Sequence, residues 1–320
     1  MRKNETAQPS VAIVIAAYNP GSYLKEAIDS CLQQTYKNCR LIIINDASSD
    51  GTAKLLTDHG NTPAVTVITN NANKGRAKSL NQVLQNLEEP YVALLDADDV
   101  MYSDRIKKQV AFMEANPEVG ASSGFMDYIS SKGIVIGHAK SDLLSEKDAQ
   151  RYVENKDPFA IFTPCSIIRT EIFKSDNIFF RPEFWPADDV DLWNRIHEGG
   201  WHVLVQPEFL TQYRIHANSA VTSNFFYTRM QFEFLRECMR ARRRGNKEPT
   251  KKEFIRMMKS RPLWVRINSL RKTYAKGVYR AGGFAFAEKK YLRAIRMLTL
   301  AGVLQPIYVF RRLKQQVRLK

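Results

Sequence analysis

The sequence predicts an α/β protein: a doubly wound, mostly parallel, Rossmann-like sheet followed by a basic, mostly helical C-terminal region. Three observations carry that expectation. Residues 11–17, 41–45, 65–69 and 91–95 are short apolar runs without alternation, as strands buried on both faces require. Helical periodicities separate them, and strands alternating with helices build parallel sheets. The charge also divides sharply, since residues 1–224 hold 22 Lys+Arg against 28 Asp+Glu while residues 225–320 hold 26 against 5.

Taken in order, the run 11–17 ends at Tyr18-Asn19-Pro20, a turn signal. Leu24, Ala27, Ile28, Cys31 and Leu32 recur at three and four positions, as do Ala77, Leu80, Val83, Leu84 and Leu87, giving the first and third helical faces of the alternation. Residues 103–116 read as a helix stopped by Pro117, and 120–138 as a hairpin turning near Ser131-Lys132-Gly133. A capping box of Ser145 and Asp148 opens a helix over 145–155. Residues 165–169 read as a strand, 188–198 as a helix stopped by Gly199-Gly200, and 213–216 as a short extended piece. Beyond 225 the pattern is helical, aromatic and cationic.

Composition excludes several classes. At 320 residues, 44% hydrophobic and 25% charged, the chain is neither wholly disordered nor a polytopic membrane protein. No run reaches the roughly 18 apolar residues of a spanning helix. Arg2 and Lys3 before the first apolar run look like a secretory signal only superficially, because Glu5 interrupts and no small-residue cleavage site follows. Cys31, Cys39, Cys165 and Cys238 show no CxxC spacing and read as reduced thiols of a cytosolic protein. An acidic front half argues against a nucleic-acid enzyme. The basic tail admits three readings: a solvated helical bundle, an RNA-binding tail, or, favoured here, an interfacial segment meeting anionic lipid head groups while Trp264, Phe284 and Phe286 enter the boundary.

In such sheets ligands bind beyond the carboxyl ends of the strands. Those ends are Ala17-Tyr18-Asn19, Asp46, the stretch 70–76 and Asp96-Ala97-Asp98-Asp99, so one polar pocket is expected. The acidic cluster repels itself unless a cation sits among it, and a hard divalent ion carrying phosphate oxygens suits. Asn73-Lys74-Gly75-Arg76 opens a helix, where free backbone N–H groups and two cations fit a diphosphate, although surface charge is the plainer reading. On the helix over 188–198, Leu192, Trp193 and Ile196 form a stripe with Asp189 at its centre, a carboxylate aimed inward that suits a general base. Asp188, Asp191 and Arg195 fall to the side, the last two as an i, i+4 ion pair. Arg214 and His216 share a face of the extended piece and suit a site holding phosphate and metal.

Together these motifs resemble the inverting glycosyltransferases of family 2, with the GT-A fold. The pieces are Val14-Ile15-Ala16-Ala17-Tyr18-Asn19, Gln34-Thr35-Tyr36, Asn45-Asp46-Ala47-Ser48-Ser49-Asp50-Gly51-Thr52, Asn73-Lys74-Gly75 with Asn81, Asp96-Ala97-Asp98-Asp99, Asp188-Asp189-Val190-Asp191-Leu192-Trp193 and Tyr213-Arg214-Ile215-His216. The resemblance implies a glycosyltransferase domain over 1–224, with a nucleotide-binding half to about 117 and an acceptor half beyond it. It implies that Asp46 reads a uracil, Asp96 a ribose, and Asp98 with His216 a Mn2+ or Mg2+ ion bridging the diphosphate. Asp189 matches the base, Trp185 an acceptor platform, and Asp99, Asp188 and Arg214 supporting positions. Ala17, Tyr18, Asn19, Lys74, Arg76 and Ala97 complete the expected nucleotide-sugar contacts. Asn45 stands where many relatives carry a second acid, and Asp188 where a glutamate is usual. No QxxRW motif follows the base, so one sugar per encounter is expected rather than processive synthesis. The implied enzyme moves a hexose or N-acetylhexosamine from a UDP-sugar to a glycan or lipid-linked acceptor in cell-surface polysaccharide synthesis (capsule, O-antigen or exopolysaccharide), peripherally on the inner face of the cell membrane. The rival readings are a sugar-phosphate nucleotidyltransferase, whose glycine-rich basic loop is missing after the first strand, and a catalytically silent, membrane-recruited scaffold.

Overall fold

A computed structural model describes residues 8–59, 62–215, 225–287 and 290–318. The first half alternates as expected: β1 (Val11–Ala17), α1 (Tyr23–Leu32), β2 (Cys39–Asn45), α2 (Thr52–His59), β3 (Val65–Thr69), α3 (Arg76–Leu84) and β4 (Tyr91–Asp96). The second half adds β5 (Val100–Met101), α4 (Arg105–Ala115), β6 (Val119–Ile129), β7 (Val135–Ala139), α5 (Glu146–Glu154), β8 (Ile167–Arg169), α6 (Glu171–Lys174), α7 (Asp188–Glu198) and β9 (His202–Arg214). The strands form one sheet in the order β3-β2-β1-β4-β8-β6-β9-β5, with β7 paired to β6.

Strands β3, β2, β1 and β4 run parallel, and their registers place Ala17 opposite Asn45, Asn45 opposite Thr69, and Ala16 opposite Asp96. All four therefore end at one edge. Along β1 the even residues Ala12 and Val14 join the core beneath α3 and α7, whereas Val11, Ile13, Ile15 and Ala17 join the core beneath α1 and α4. Burial on both faces is what removed the alternation from the sequence.

The later half is mixed rather than parallel. β8 is antiparallel to both β4 and β6, while β6 and β9 run parallel to each other. The expected hairpin is present as β6 and β7, and the Ser145–Asp148 capping box forms as read. Of the extended piece expected at 213–216, Tyr213 and Arg214 are the end of a strand that starts at His202. Pro207 and Glu208 interrupt its apolar pattern, and the β6–β9 register shifts at Gly124 and Phe125, so no simple period survives. Gly124 is required there, since a Cβ would lie 2.5 Å from Leu210 and 2.7 Å from the Glu208 carbonyl.

Contacts divide the chain into two compact units, Met1–Ser219 and Ala220–Lys320. The second is helical: α8 (Phe225–Arg242), α9 (Lys251–Ser260), α10 (Leu263–Ala287), α11 (Tyr291–Leu304) and α12 (Pro306–Arg318). Among the described residues no helix is long and apolar enough to cross a membrane. The side chain of Phe284 lies outside the described residues, whereas Trp264 and Phe286 are exposed.

Candidate active site

At the shared strand edge, the loops after β1 and β2 are laced together. Asn19, in the left-handed region at φ 50°, donates its backbone N–H to Ser48 Oγ (3.1 Å) and accepts from the Ser49 N–H (2.7 Å) through Oδ1. The Gly21 N–H donates to Asp50 Oδ2 at 2.9 Å. Ala17 is buried, and Tyr18 is exposed beside it.

Asp46, only 3% exposed, braces the loop after β3. Its Oδ1 accepts from Asn70 Nδ2 (2.8 Å) and the Lys74 N–H (2.9 Å), and its Oδ2 from the Gly75 N–H (2.8 Å). Burial works against its charge, yet these donors outweigh it and hold the carboxyl below its usual range. Lys74 is exposed and reaches along α3 to Gln82 Oε1 (2.7 Å).

Arg76, the first residue of α3, turns the other way. Its Nε lies 3.5 Å from Asp96 Oδ1 and its Nη1 3.8 Å from Asp188 Oδ2. Burial pushes its pKa down, but Asp96, Asp188 and Asp189 push it further up, and the net direction is up. Asp96 is raised by burial and by Asp98 and Asp189, with Arg76 opposing. Asp188 is pushed up to about 6, by burial first and then by Asp189, again against Arg76. The edge is thus an acidic crowd around one guanidinium.

The turn after β4 is held by a side chain from β9. Arg214, fully buried, donates its backbone N–H to Asp99 Oδ1 (2.8 Å), Nε to the Asp98 carbonyl (2.8 Å) and Nη2 to Glu26 Oε2 (2.7 Å). Its guanidinium is 4.7 Å from the Tyr23 ring centre. It therefore clamps the acidic turn onto α1, whereas the sequence reading made it lining for phosphate. Asp99 is buried with Oδ2 lacking a hydrogen-bond partner, and burial together with Asp96 and Asp98 raises its pKa well above the usual range. Ala97, 9% exposed, joins the core beneath α1 and α4.

On α7 the structure corrects the wheel. Asp188 was expected to the side and Asp189 inward, but Asp188 is 1% exposed while Asp189 is only partly buried. Val190, Asp191 and Asn194 are buried as well as the Leu192 stripe, so α7 is covered nearly all round and a single inward face does not exist. Asp189 Oδ2 accepts from Thr163 Oγ1 (2.8 Å), and Oδ1 from the Val190 N–H (2.7 Å). Asp191 pairs with Arg195 as read (2.8 Å) and also with Arg181 Nε (2.7 Å). Trp185, just before α7, is 41% exposed. His216 lies outside the described residues.

Thr163 and Arg105 escaped the sequence reading. Arg105 is fully buried and donates to Gln109 Oε1, the Pro164, Leu94 and Ser166 carbonyls and Thr211 Oγ1, all at 2.8–3.0 Å. It ties the end of β4 to the turn that carries Thr163. The signal was available: Arg105 and Gln109 fall on the same helical face as Ile106, Val110 and Met113, where a charge needs a buried job.

For a divalent cation the donor set is chemically apt, with hard carboxylate oxygens, mutual repulsion that raises Asp96, and an orphaned Asp99 oxygen. Among the described residues no three His, Cys, Asp or Glu side chains are gathered into a ready-made cage. A cation at Asp98 would draw the rest of its shell from diphosphate and water, as Mg2+ commonly does.

Comparison with known proteins bears on the family and the fold. The pattern of glycosyl transferase family 2 matches residues 12–175. A putative glycosyltransferase of Bacillus subtilis is 30% identical over 229 residues, 69% of this chain and 78% of its own. A UDP-Glc:alpha-D-GlcNAc-diphosphoundecaprenol beta-1,3-glucosyltransferase of Escherichia coli is 29% identical over 215 residues, 67% and 81% of the two chains. A mannosyltransferase from Pyrobaculum calidifontis, solved with GDP-Man and Mn2+, superposes with a TM-score of 0.56 at 17% identity, covering 98% of this chain and 81% of that one. At that identity the structural likeness establishes the GT-A fold alone.

Proposed function

The chain belongs to glycosyl transferase family 2, and from that premise we propose an inverting, non-processive transferase that moves one sugar from a UDP-sugar to a hydroxyl of a lipid-linked glycan. The observation that carries the reading is the difference between the two adjacent carboxylates: Asp188 is buried against Arg76, while Asp189 is only partly buried, with its carboxylate held by Thr163. In this reading Asp46 reads the uracil imide, and Asp96 takes a ribose hydroxyl. Asp98, with His216, holds Mn2+ or Mg2+, which when bound neutralises charge on the departing diphosphate. The Tyr18 ring lines the nucleotide side and Trp185 the acceptor side.

Asp189 accepts the proton of the acceptor hydroxyl as its oxygen bonds to the anomeric carbon. The bond from that carbon to the β-phosphate oxygen breaks on the opposite face, its electron pair leaving with UDP, through a transition state of oxocarbenium character. The configuration inverts. UDP is favoured as the nucleotide because a relative uses UDP-Glc, and a lipid-diphosphate acceptor because that relative's does. Such an acceptor fits a role in cell-surface polysaccharide synthesis and a peripheral position on the inner membrane face.

The test is release of UDP from a panel of UDP-sugars with Mn2+, a lipid-diphosphate acceptor and a chelator control. Turnover that requires metal and acceptor is expected; no release with any sugar, or production of a nucleotide-sugar from a sugar phosphate, overturns the reading.

A further inference from the structure

Helices α10 and α11 bury small residues and expose a set of large apolar ones. On them the small residues Ala275, Ala294 and Ala301 are at most 1% exposed, and Gly282 lies so close to Leu298 that a Cβ would stand 3.0 Å from it. Several large apolar side chains of the two helices are exposed instead. On α10, Leu263, Ile267, Leu270 and Tyr274 recur at four, three and four positions, which makes one stripe, and Ile267 is 56% and Leu270 59% exposed. On α11 Leu292 is 79% and Ile295 61% exposed. Isolated exposed apolar residues need no explanation, but a continuous stripe does.

The charge says what covers it. From Phe254 to Lys320 the sequence carries 17 Lys and Arg and a single acid, Glu288. Arg266, Arg271, Arg293 and Arg296 are exposed on the same two helices. A second copy would set like charges together, and nucleic acid would meet the cations but offer no hydrocarbon to Leu and Ile. An anionic bilayer offers both at once, head groups for the arginines and acyl boundary for the stripe. We propose that α10 and α11 lie in the plane of an anionic membrane surface, with Ile267, Leu270 and Ile295 inserted at the acyl boundary and Arg293 and Arg296 at the head groups. The assignment rests on the lipid-linked acceptor reading for its purpose, since shallow insertion would hold the active site near a membrane-borne substrate.

The full chain is tested by flotation with phosphatidylglycerol vesicles and with phosphatidylcholine vesicles, alongside UDP release with a water-soluble acceptor. Binding to the anionic vesicles alone is expected. The triple variant I267N/L270N/I295N should bind them at least about 1,000-fold more weakly, because each inserted aliphatic side chain contributes about tenfold or more. R293Q and R296Q should each weaken binding about fivefold. UDP release from the UDP-sugar in the presence of the soluble acceptor should be unchanged in all three variants. Trp264, 71% exposed beside the stripe, should shift its emission to the blue on anionic vesicles, and W264F should abolish that shift. Equal binding to both vesicle types, wild-type binding by the triple variant, or self-association that the triple variant abolishes without any vesicle binding would overturn the proposal. Vesicle binding without UDP release removes the catalytic reading alone, and UDP release without vesicle binding removes the docking face alone.

Discussion

Replacing Asp188 by Asn should change how stability depends on pH, and the size follows from the geometry. The carboxyl is 1% exposed, its Oδ2 has no hydrogen-bond partner, and the facing Arg76 Nη1 stands 3.8 Å away. Burial and the neighbouring Asp189 therefore outweigh Arg76 and lift its pKa from 3.8 to about 6. The folded state binds this proton more tightly than the unfolded chain does. Its contribution is complete below about pH 4 and is lost as pH rises through about 6. Two pKa units correspond to about 3 kcal/mol. Asn cannot ionise, so relative to the wild type the Asp188→Asn variant should gain about 3 kcal/mol between pH 4 and pH 7. Urea denaturation at several pH values, followed through the emission of the buried Trp193, measures that difference. Parallel pH curves would refute the reasoning, and a gain in the opposite direction would mean that Arg76 dominates the site.

Removing the Thr163 hydroxyl with Thr163→Val should lower kcat about 10- to 100-fold, the worth of one hydrogen bond to a charged group, with the donor KM unchanged and Thr163→Ser restoring activity; steady-state kinetics of the two variants decide it. Arg105→Leu should cost about 3 kcal/mol or more, because the Leu94, Pro164 and Ser166 carbonyls each lose a guanidinium hydrogen bond inside the core. Its urea midpoint measures this, and a midpoint equal to the wild type would show that the buried guanidinium organises nothing.

The parallel half was legible because its physics is local. Strands covered on both faces must be apolar throughout, helices between them must show the 3.6 period, and strands of one direction must end at one edge. Asp46 and Asp96 therefore arrive at one edge in the structure as they did in the reading. The mixed half was less legible, because β9 carries Pro207 and Glu208 and pairs with β6 through register shifts. Orientation within the acidic pair on α7 failed for another reason. A helical wheel assumes one buried face, and α7 is buried on most of its circumference. The role of Arg214 was hidden because its partners, the Asp98 carbonyl and Glu26, come from elements far away in sequence.

The central claim is that Asp189 is the base and the surrounding acids only seat the donor. Isothermal titration of UDP with Mn2+ into Asp189→Asn, paired with the rate of UDP release in the presence of acceptor, tests it most directly. Wild-type UDP affinity with a rate at least 100-fold lower is the predicted result, since a positioned general base is worth about 10²- to 10⁴-fold. Wild-type turnover in that variant would contradict the account.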